Sequence, residues 1–172
     1  MIRESQEAHS FWKVFAGASG LEKASLVISS WFFCGLLPGA PGTFATVAAV
    51  IPAFVLGYLP LLWRGLLIGG LTGLAIMTSA ISASALGQGD PSVVVIDEVA
   101  GYLVGVCLLP HSIIILMLAF IFFRVFDILK PFPIRQIEKK VRGGLGIVLD
   151  DLLAGFCAFI IVKGIVVVLS GS

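Results

Sequence analysis

The segment RVFDILKPFPIR, residues 124–135, places four charged side chains around two prolines in an otherwise apolar stretch. These charged residues are Arg124, Asp127, Lys130 and Arg135. A charge left at the centre of a bilayer costs roughly 3 kcal/mol or more, so we expect these groups to bind something. Arg124, Asp127 and Lys130 would be neighbours on a helix, where a self-neutralising ladder with snorkelling basic groups is the structural alternative.

The prolines that follow Asp127 position the basic groups. Pro131 and Pro133 cannot continue a helix, so Lys130 and Arg135 are predicted to project from an extended turn. Lysine and arginine close to metal-binding carboxylates are suited to a phosphate group. A phosphate-binding role is therefore predicted for both basic residues.

Two carboxylate doublets lie at the boundaries of apolar runs. Asp97 and Glu98 stand in VVVIDEVAG, and Asp150 and Asp151 stand in GIVLDDLLAG. For each doublet the structural alternative is a helix N-terminus, where the macrodipole favours acidic side chains. Together with Asp127 the doublets form an oxygen-rich, nitrogen-poor set, which suits Mg²⁺ or a similar hard cation rather than zinc.

Two glycine-rich segments accompany the acids. PGAPGTFA leads through Gly42 and Thr43 into an apolar run, and RGGLG, residues 142–146, precedes the second doublet. Exposed backbone N–H groups at a helix start bind anions, although glycines at a membrane interface also form plain turns.

Covalent routes to phosphate ester cleavage find little support. None of the three cysteines is followed by arginine six residues later, and each stands alone in an apolar run, where a buried small hydrophobe is expected. Leu129 stands where an aspartyl-phosphate enzyme has its second aspartate, and His111 is predicted to lie on the opposite membrane face. By elimination, phosphate ester cleavage here would use metal-activated water.

The elements that must position these residues are membrane segments. The 172 residues are 59% hydrophobic and 12% charged, whereas a soluble domain is about a quarter charged. The net charge of +1 gives no support for a nucleic-acid partner. The opening 15 residues carry charges of both signs, so no cleavable signal peptide is expected there.

Residues 44–60 and 65–86 are predicted to form a membrane hairpin, with Pro60 and Arg64 marking its turn. Residues 99–123 could form one span or two segments broken at LLPHS. The break is preferred because Pro110 disfavours a continuous helix, and because it gathers the basic residues on one, cytoplasmic, face. Residues 97–109 then form a short or re-entrant segment whose Gly101 and Gly105 suit close packing.

The predicted fold is an all-α, polytopic membrane helical bundle. It has about four to five membrane segments, including a return over 112–129 and an exit over 152–169, with a re-entrant or short helix and an interfacial N-terminal helix. We expect one domain over 1–172, with 1–23 cytoplasmic or interfacial, while 21–37 could span, re-enter or lie on the surface. Six acids then converge on cytoplasmic segment ends: Asp90, Asp97, Glu98, Asp127, Asp150 and Asp151.

Four blocks in order resemble one known family. They are PGAPGT (38–43), DPSVVVIDEVAG (90–101), FRVFDILKPFPIR (123–135) and GGLGIVLDDLLAG (143–155). The chain resembles the phosphatidylglycerophosphatase A family over most of its length beyond residue 30. The resemblance implies Mg²⁺-dependent hydrolysis of phosphatidylglycerophosphate to phosphatidylglycerol and phosphate, at the cytoplasmic face of the bacterial inner membrane. Family motif positions fall on Asp97, Glu98, Asp127, Lys130, Arg135, Asp150 and Asp151.

This resemblance and the residues lead to one mechanistic hypothesis. One or two Mg²⁺ would be held by Asp97, Glu98, Asp127, Asp150 and Asp151, with Asp97, Glu98, Asp127 and Asp151 as the catalytic set. Lys130 and Arg135 would bind the phosphomonoester, with Gly42 and Thr43 as helpers. Asp90 is expected to cap the following turn or to support the site indirectly. A small ion-coupled transporter is the main alternative, and a purely structural protein is the third. The oligomeric state is left open.

Overall fold

A computed structural model describes residues 2–132, 134–141 and 143–170, and the side chains of all of these except 2–6, 138 and 139. The described residues form eight α-helices, one short 3₁₀ helix over Cys34–Leu36 and no strand. In chain order the α-helices are α1 (Ile2–Gly17), α2 (Gly20–Ser29), α3 (Pro41–Leu56), α4 (Leu61–Leu86), α5 (Ile96–Val106), α6 (Ile113–Leu129), α7 (Ile134–Lys140) and α8 (Gly143–Ser170). The predicted all-α fold is confirmed.

In the described part of the chain, two helices are long and apolar enough to cross a membrane. They are α4, with 26 residues, and α8, with 28; at 1.5 Å per residue they are about 40 Å long, more than the hydrocarbon core requires. α3 is apolar but shorter, with 16 residues. Large apolar side chains such as Leu62 and Val168 are exposed on these helices. The chain is therefore a membrane protein, and the predicted number of segments is only roughly matched.

Several predicted boundaries were wrong. α3 begins at Pro41, because proline suits the first position of a helix, and ends at Leu56 rather than at residue 60. α4 begins at Leu61, so Arg64 lies in its first turn instead of in the connection. α8 begins nine residues before the predicted 152. Gly144 allows this early start, since an added Cβ would overlap the Ile76 carbonyl oxygen of α4.

The predicted break at LLPHS is confirmed. α5 ends at Val106, and α6 begins at Ile113 after Pro110. α5 has 11 residues, about 16 Å, and nearly all of them are buried at the centre of the bundle. Its neighbour α8 approaches closely, because a Cβ on Gly155 would overlap the carbonyl oxygen of Gly101. The close packing predicted for the GYLVG segment is therefore confirmed.

The N-terminal part forms a separate layer against the loop that leads into α5. α2, with ten residues, is too short to cross a bilayer, so of the three alternatives for residues 21–37 a spanning helix is disfavoured. After it, residues 31–33 adopt positive φ angles of 48° to 70° and turn the chain towards α3. Phe11 of α1 is fully buried against Leu26 and Val93. The Val95 N–H donates to the Ser29 carbonyl oxygen at 2.8 Å, so the layer holds this loop in place.

Candidate active site

A polar cleft of about 300 Å³ opens at one end of the bundle. Its walls are the first turns of α3 and α5, the last turns of α6, the third turn of α8 and the loop before α5. The charged residues that line it are Asp90, Asp97, Glu98, Arg124, Asp127, Lys130, Asp150 and Asp151. The structure thus brings together all six acids that were expected to converge.

The packing of α5 on α8 places the two carboxylate doublets side by side. Asp97 and Glu98 occupy the first turn of α5, where the helix macrodipole favours negative charge. One turn later, a Cβ on Gly101 would lie only 2.5 Å from the Asp151 carbonyl oxygen. This close backbone contact requires glycine, and it sets the distance between the two acidic segments.

α6 brings the basic residues to these acids. Arg124 Nη1 lies 2.6 Å from Asp127 Oδ2 on the same helix and 3.3 Å from Glu98 Oε1 on α5. Lys130, in a left-handed conformation at the end of α6, places its Nζ 2.5 Å from Asp150 Oδ2 on α8. The self-neutralising ladder therefore describes only part of the arrangement, since two of these three ion pairs cross between helices.

The carboxylates are buried, and some of their oxygens have no hydrogen-bond partner. Asp97 is 7% exposed and Asp151 is 3% exposed. Asp97 Oδ1 and Glu98 Oε2 are buried without a hydrogen-bond partner in the described structure. Burial of a charge without full pairing is costly, so this end of the bundle favours an additional positive charge.

Burial raises the pKa values of the two acids of α5, a helix that is not one of the two long apolar helices. Burial raises the pKa of Asp97 well above its ordinary value, and the Glu98 carboxylate raises it further. Burial also raises the pKa of Glu98, to about 8, while the Arg124 guanidinium opposes that shift. A cation in the cleft would hold both groups in their ionised form.

The donor set suits a hard divalent cation, because such ions take carboxylate oxygens. In the described residues, no three acidic, histidine or cysteine side chains already surround one point as metal ligands. The two unpartnered oxygens of Asp97 and Glu98 are the donors most directly available. The remaining candidates, Asp127, Asp150 and Asp151, share the cleft with Arg124 and Lys130.

Of the residues predicted to help bind the phosphate, only some line the cleft. Gly42 lines the cleft, and a Cβ there would overlap the Glu98 carboxylate. Thr43 and Arg135 are not among the lining residues. Arg135 is exposed in α7, so the extended turn predicted to present it is wrong. Pro133, which was expected to help form that turn, lies outside the described residues.

The second glycine-rich segment forms the start of α8. Gly144 and Gly146 lie in the first turn of α8, where they are buried. A Cβ on Gly146 would overlap the Val141 carbonyl oxygen, so these glycines serve close packing. Arg142, the first residue of that segment, lies outside the described residues.

Sequence reasoning missed Ser92 as a cleft residue, and it expected Arg124 to take part in binding without giving it a named role in the site. Arg124 stands three residues before Asp127, and this spacing alone is equally explained by a local ion pair. Only the contact with Glu98 shows that Arg124 faces the cleft. Ser92 contacts the Glu7 carboxylate of α1 and carries no signal in the sequence.

An apolar bundle with such a cleft at one end is expected of a membrane-bound lipid phosphatase, and comparisons with known proteins support this class. The family model for phosphatidylglycerophosphatase A matches residues 27–166. The chain belongs to this family. The match leaves out α1 and most of α2.

Three curated relatives cover most of the chain. Phosphatidylglycerophosphatase A of Haemophilus influenzae is 35% identical over 84% of this chain and 93% of its own length. Phosphatidylglycerophosphatase A of Escherichia coli is 33% identical over 72% and 73%. A Bacteroides thetaiotaomicron protein, named provisionally as a phosphatidylinositol-3-phosphatase, is 33% identical over 80% and 90%. No solved structure matches the chain.

Proposed function

We propose that the chain is a Mg²⁺-dependent phosphatidylglycerophosphatase, which hydrolyses phosphatidylglycerophosphate to phosphatidylglycerol and phosphate in phospholipid biosynthesis. The observation that carries the proposal is the convergence of six carboxylates and two basic groups, from separate segments, on one cleft. Such a cleft combines donors for a divalent cation with donors for a phosphate. Two relatives that bear this enzyme's name support the choice of substrate.

The metal would be held by Asp97, Glu98, Asp127, Asp150 and Asp151, of which Asp97, Glu98, Asp127 and Asp151 form the proposed catalytic set. Their buried, incompletely partnered oxygens fit this role. When bound, Mg²⁺ supplies charge neutralisation at the phosphoryl oxygens and makes a bound water more acidic.

The chain's own residues orient the reaction. A carboxylate of the cleft accepts a proton from water as the water oxygen attacks phosphorus. The bond from phosphorus to the glycerol oxygen breaks, and the resulting carboxyl group returns the proton to that oxygen, which leaves as a hydroxyl. Lys130, already at the cleft through its contact with Asp150, is placed to bind a phosphoryl oxygen. Gly42, which has no Cβ, leaves the space that the Glu98 carboxylate occupies at the edge of the cleft.

Thr43 and Arg135 remain proposed helpers of substrate binding. Thr43 is adjacent to Gly42, and Arg135 lies on α7, directly after Lys130 and the prolines. Because neither lines the cleft, we expect their replacement to affect substrate affinity less than replacement of Lys130.

The same proposal gives the orientation. We place the chain as one multi-pass domain in the bacterial inner membrane, with the cleft facing the cytoplasm and α1 at the interface. Lys13, Lys23 and Lys140 lie in helices that border the cleft end, which the positive-inside rule assigns to the cytoplasm. The acyl chains would then stay in the bilayer while only the headgroup enters the cleft.

The ion-coupled transporter fits this arrangement less well. A transporter places its ion-binding acids near the middle of the bilayer. Here Asp97 and Glu98 lie in the first turn of α5, and Asp127 lies in the last turn of α6. The acids therefore gather at the end of the bundle, as expected for a headgroup site.

The decisive test is phosphate release by the purified full chain in detergent micelles. With phosphatidylglycerophosphate and Mg²⁺ we expect release, and with EDTA we expect none until Mg²⁺ is restored. Phosphatidylinositol 3-phosphate serves as the competing substrate, because one relative is named for it. Faster release from phosphatidylinositol 3-phosphate would make that lipid the preferred substrate. Release from either lipid without metal would refute the proposed chemistry.

A further inference from the structure

We propose that Arg124 is a displaceable counter-ion, which holds Glu98 and Asp127 in the metal-free cleft and binds the substrate's phosphate once a divalent cation takes those carboxylates. This rests on the proposed function of the cleft. It adds an order of events, in which the cation binds before the phosphate. It also assigns a phosphate-binding role to Arg124, for which the sequence left a self-neutralising ladder open as the alternative.

The contacts of Arg124 show which acidic groups it neutralises. A single nitrogen, Nη1, lies 2.6 Å from Asp127 Oδ2 and 3.3 Å from Glu98 Oε1. The Arg124 side chain is 15% exposed. The guanidinium thus bridges two carboxylates, on α5 and α6, that are themselves candidate metal ligands.

The bridge leaves unused hydrogen-bonding capacity on both sides. Arg124 Nε and Glu98 Oε2 are buried without a hydrogen-bond partner, and so is Asp97 Oδ1, on a residue 93% buried that lines the same cleft. A guanidinium has five N–H donors in a fork that matches two oxygens of a phosphate. The protein's own contacts therefore leave polar atoms unsatisfied that a cation together with a phosphate would satisfy.

Lys130 and Arg124 differ in the carboxylates that they contact. Lys130 pairs with Asp150 on α8 through one ammonium group, which binds a phosphate as a point charge. Arg124 instead occupies two of the proposed metal ligands at once. Since Arg124 and a divalent cation compete for these carboxylates, each must weaken the binding of the other, by thermodynamic reciprocity.

The first test measures the metal alone. Mn²⁺ binding to the full chain in detergent is followed by electron paramagnetic resonance for wild type, Arg124→Gln and Lys140→Gln. Removing the competing guanidinium should tighten Mn²⁺ binding by about fivefold or more, within the usual range of coupling between sites. Lys140→Gln removes one exposed positive charge on α7, outside the cleft lining, and controls for the general loss of charge.

The second test measures phosphate. Binding of inorganic phosphate, and separately of phosphatidylglycerophosphate in the presence of Ca²⁺ as a non-turnover cation, is titrated with and without metal. Wild type should bind either ligand only with the cation present. Arg124→Lys keeps the charge but loses the fork, so it should bind phosphate about tenfold more weakly while Mn²⁺ affinity changes little.

Each outcome decides a separate question. If wild type binds no Mn²⁺ in the cleft, the proposed function and this inference fail together. If wild type binds Mn²⁺ and releases phosphate but Arg124→Gln binds the ion no more tightly than wild type, only the counter-ion role fails. Should Arg124→Gln not fold, Arg124→Lys decides instead, and unchanged phosphate affinity in that variant would overturn the inference.

Discussion

Each end of the helical bundle contains a partly buried arginine, and the two arginines have different partners. At the cleft end, Arg124 contacts the carboxylates of Glu98 and Asp127. At the opposite end, Arg64 donates to the carbonyl oxygens of Gly57 and Cys107, both at 2.8 Å. These carbonyls belong to the ends of α3 and α5, where a helix has unsatisfied acceptors and a negative dipole. Arg64 therefore caps two helices, whereas Arg124 neutralises acids.

The cavity beside Arg64 is much smaller than the cleft beside Arg124. The crevice lined by Arg64 and His111 has a volume of about 10 Å³, too little for a ligand, and His111 closes it by contacting the Phe54 carbonyl oxygen at 2.7 Å. The cleft lined by Arg124 has about 300 Å³. The partly buried arginine with backbone acceptors around it is therefore structural, whereas the chemical role of the arginine beside the carboxylates is the one we propose above.

The largest effect should come from Asp97→Asn at the cleft end. The change keeps the shape of the side chain but removes a charge whose oxygen lacks a partner, so phosphate release should fall by about a hundredfold or more. Thermal stability in detergent should stay the same or rise, because a buried, poorly compensated carboxylate is lost. If this variant kept wild-type turnover, Asp97 would have no catalytic role.

Arg64→Gln should give the opposite pattern at the other end. Loss of the charged hydrogen bonds to two helix ends should lower the free energy of unfolding by about 3 kcal/mol. Turnover per folded molecule should stay close to wild type, since the cleft is at the far end of α5. Thermal unfolding and phosphate release, measured on the same preparation, separate the two effects. A large loss of turnover at full stability would contradict the division between the ends.

Much of the fold could be predicted from the sequence because its signals are local. Long apolar runs predict membrane helices, and Pro110 correctly predicts the break between α5 and α6. The start of α8 was wrong because glycines are read as loop residues, whereas Gly144 and Gly146 are used here for close contact with neighbouring backbone. Such contacts depend on distant segments, and no local pattern in the chain reports them.

The same distinction holds for the site. The acids could be predicted to meet because each stands at the edge of an apolar run, and the topology gathers those edges at one end. The partners of the basic residues could not be predicted, since the contact of Arg124 with Glu98 spans 26 residues and depends on how α6 packs. Arg135 was predicted to project from an extended turn because of Pro131 and Pro133, and the structure has a helix at Arg135 instead.

The contact between α5 and α8, which aligns the two doublets, can be tested with a matched pair of glycines in one helix. In Gly155→Ala the new methyl group would overlap the Gly101 carbonyl oxygen, so we expect a loss of about 1–3 kcal/mol in unfolding free energy, with reduced turnover. In Gly164→Ala the methyl group meets nothing within 4 Å, so no loss is expected. Equal stability of both variants, measured by thermal unfolding in detergent, would show that the helices do not approach as described.

The smallest effect should come from Gly42→Ala, which alters a residue of the cleft lining without removing a charge. The added methyl group would overlap the Glu98 carboxylate, and that carboxylate can move because it ends a flexible side chain. Stability should therefore change little, while phosphate release should fall by about tenfold, a barrier increase of about 1.4 kcal/mol. Gly69→Ala on α4, where a Cβ meets nothing within 4 Å, is the control. If Gly42→Ala instead unfolds at a much lower temperature with unchanged turnover, Gly42 serves the packing of α3 on α5, and the cleft end would resemble the Arg64 end more closely than the comparison allows.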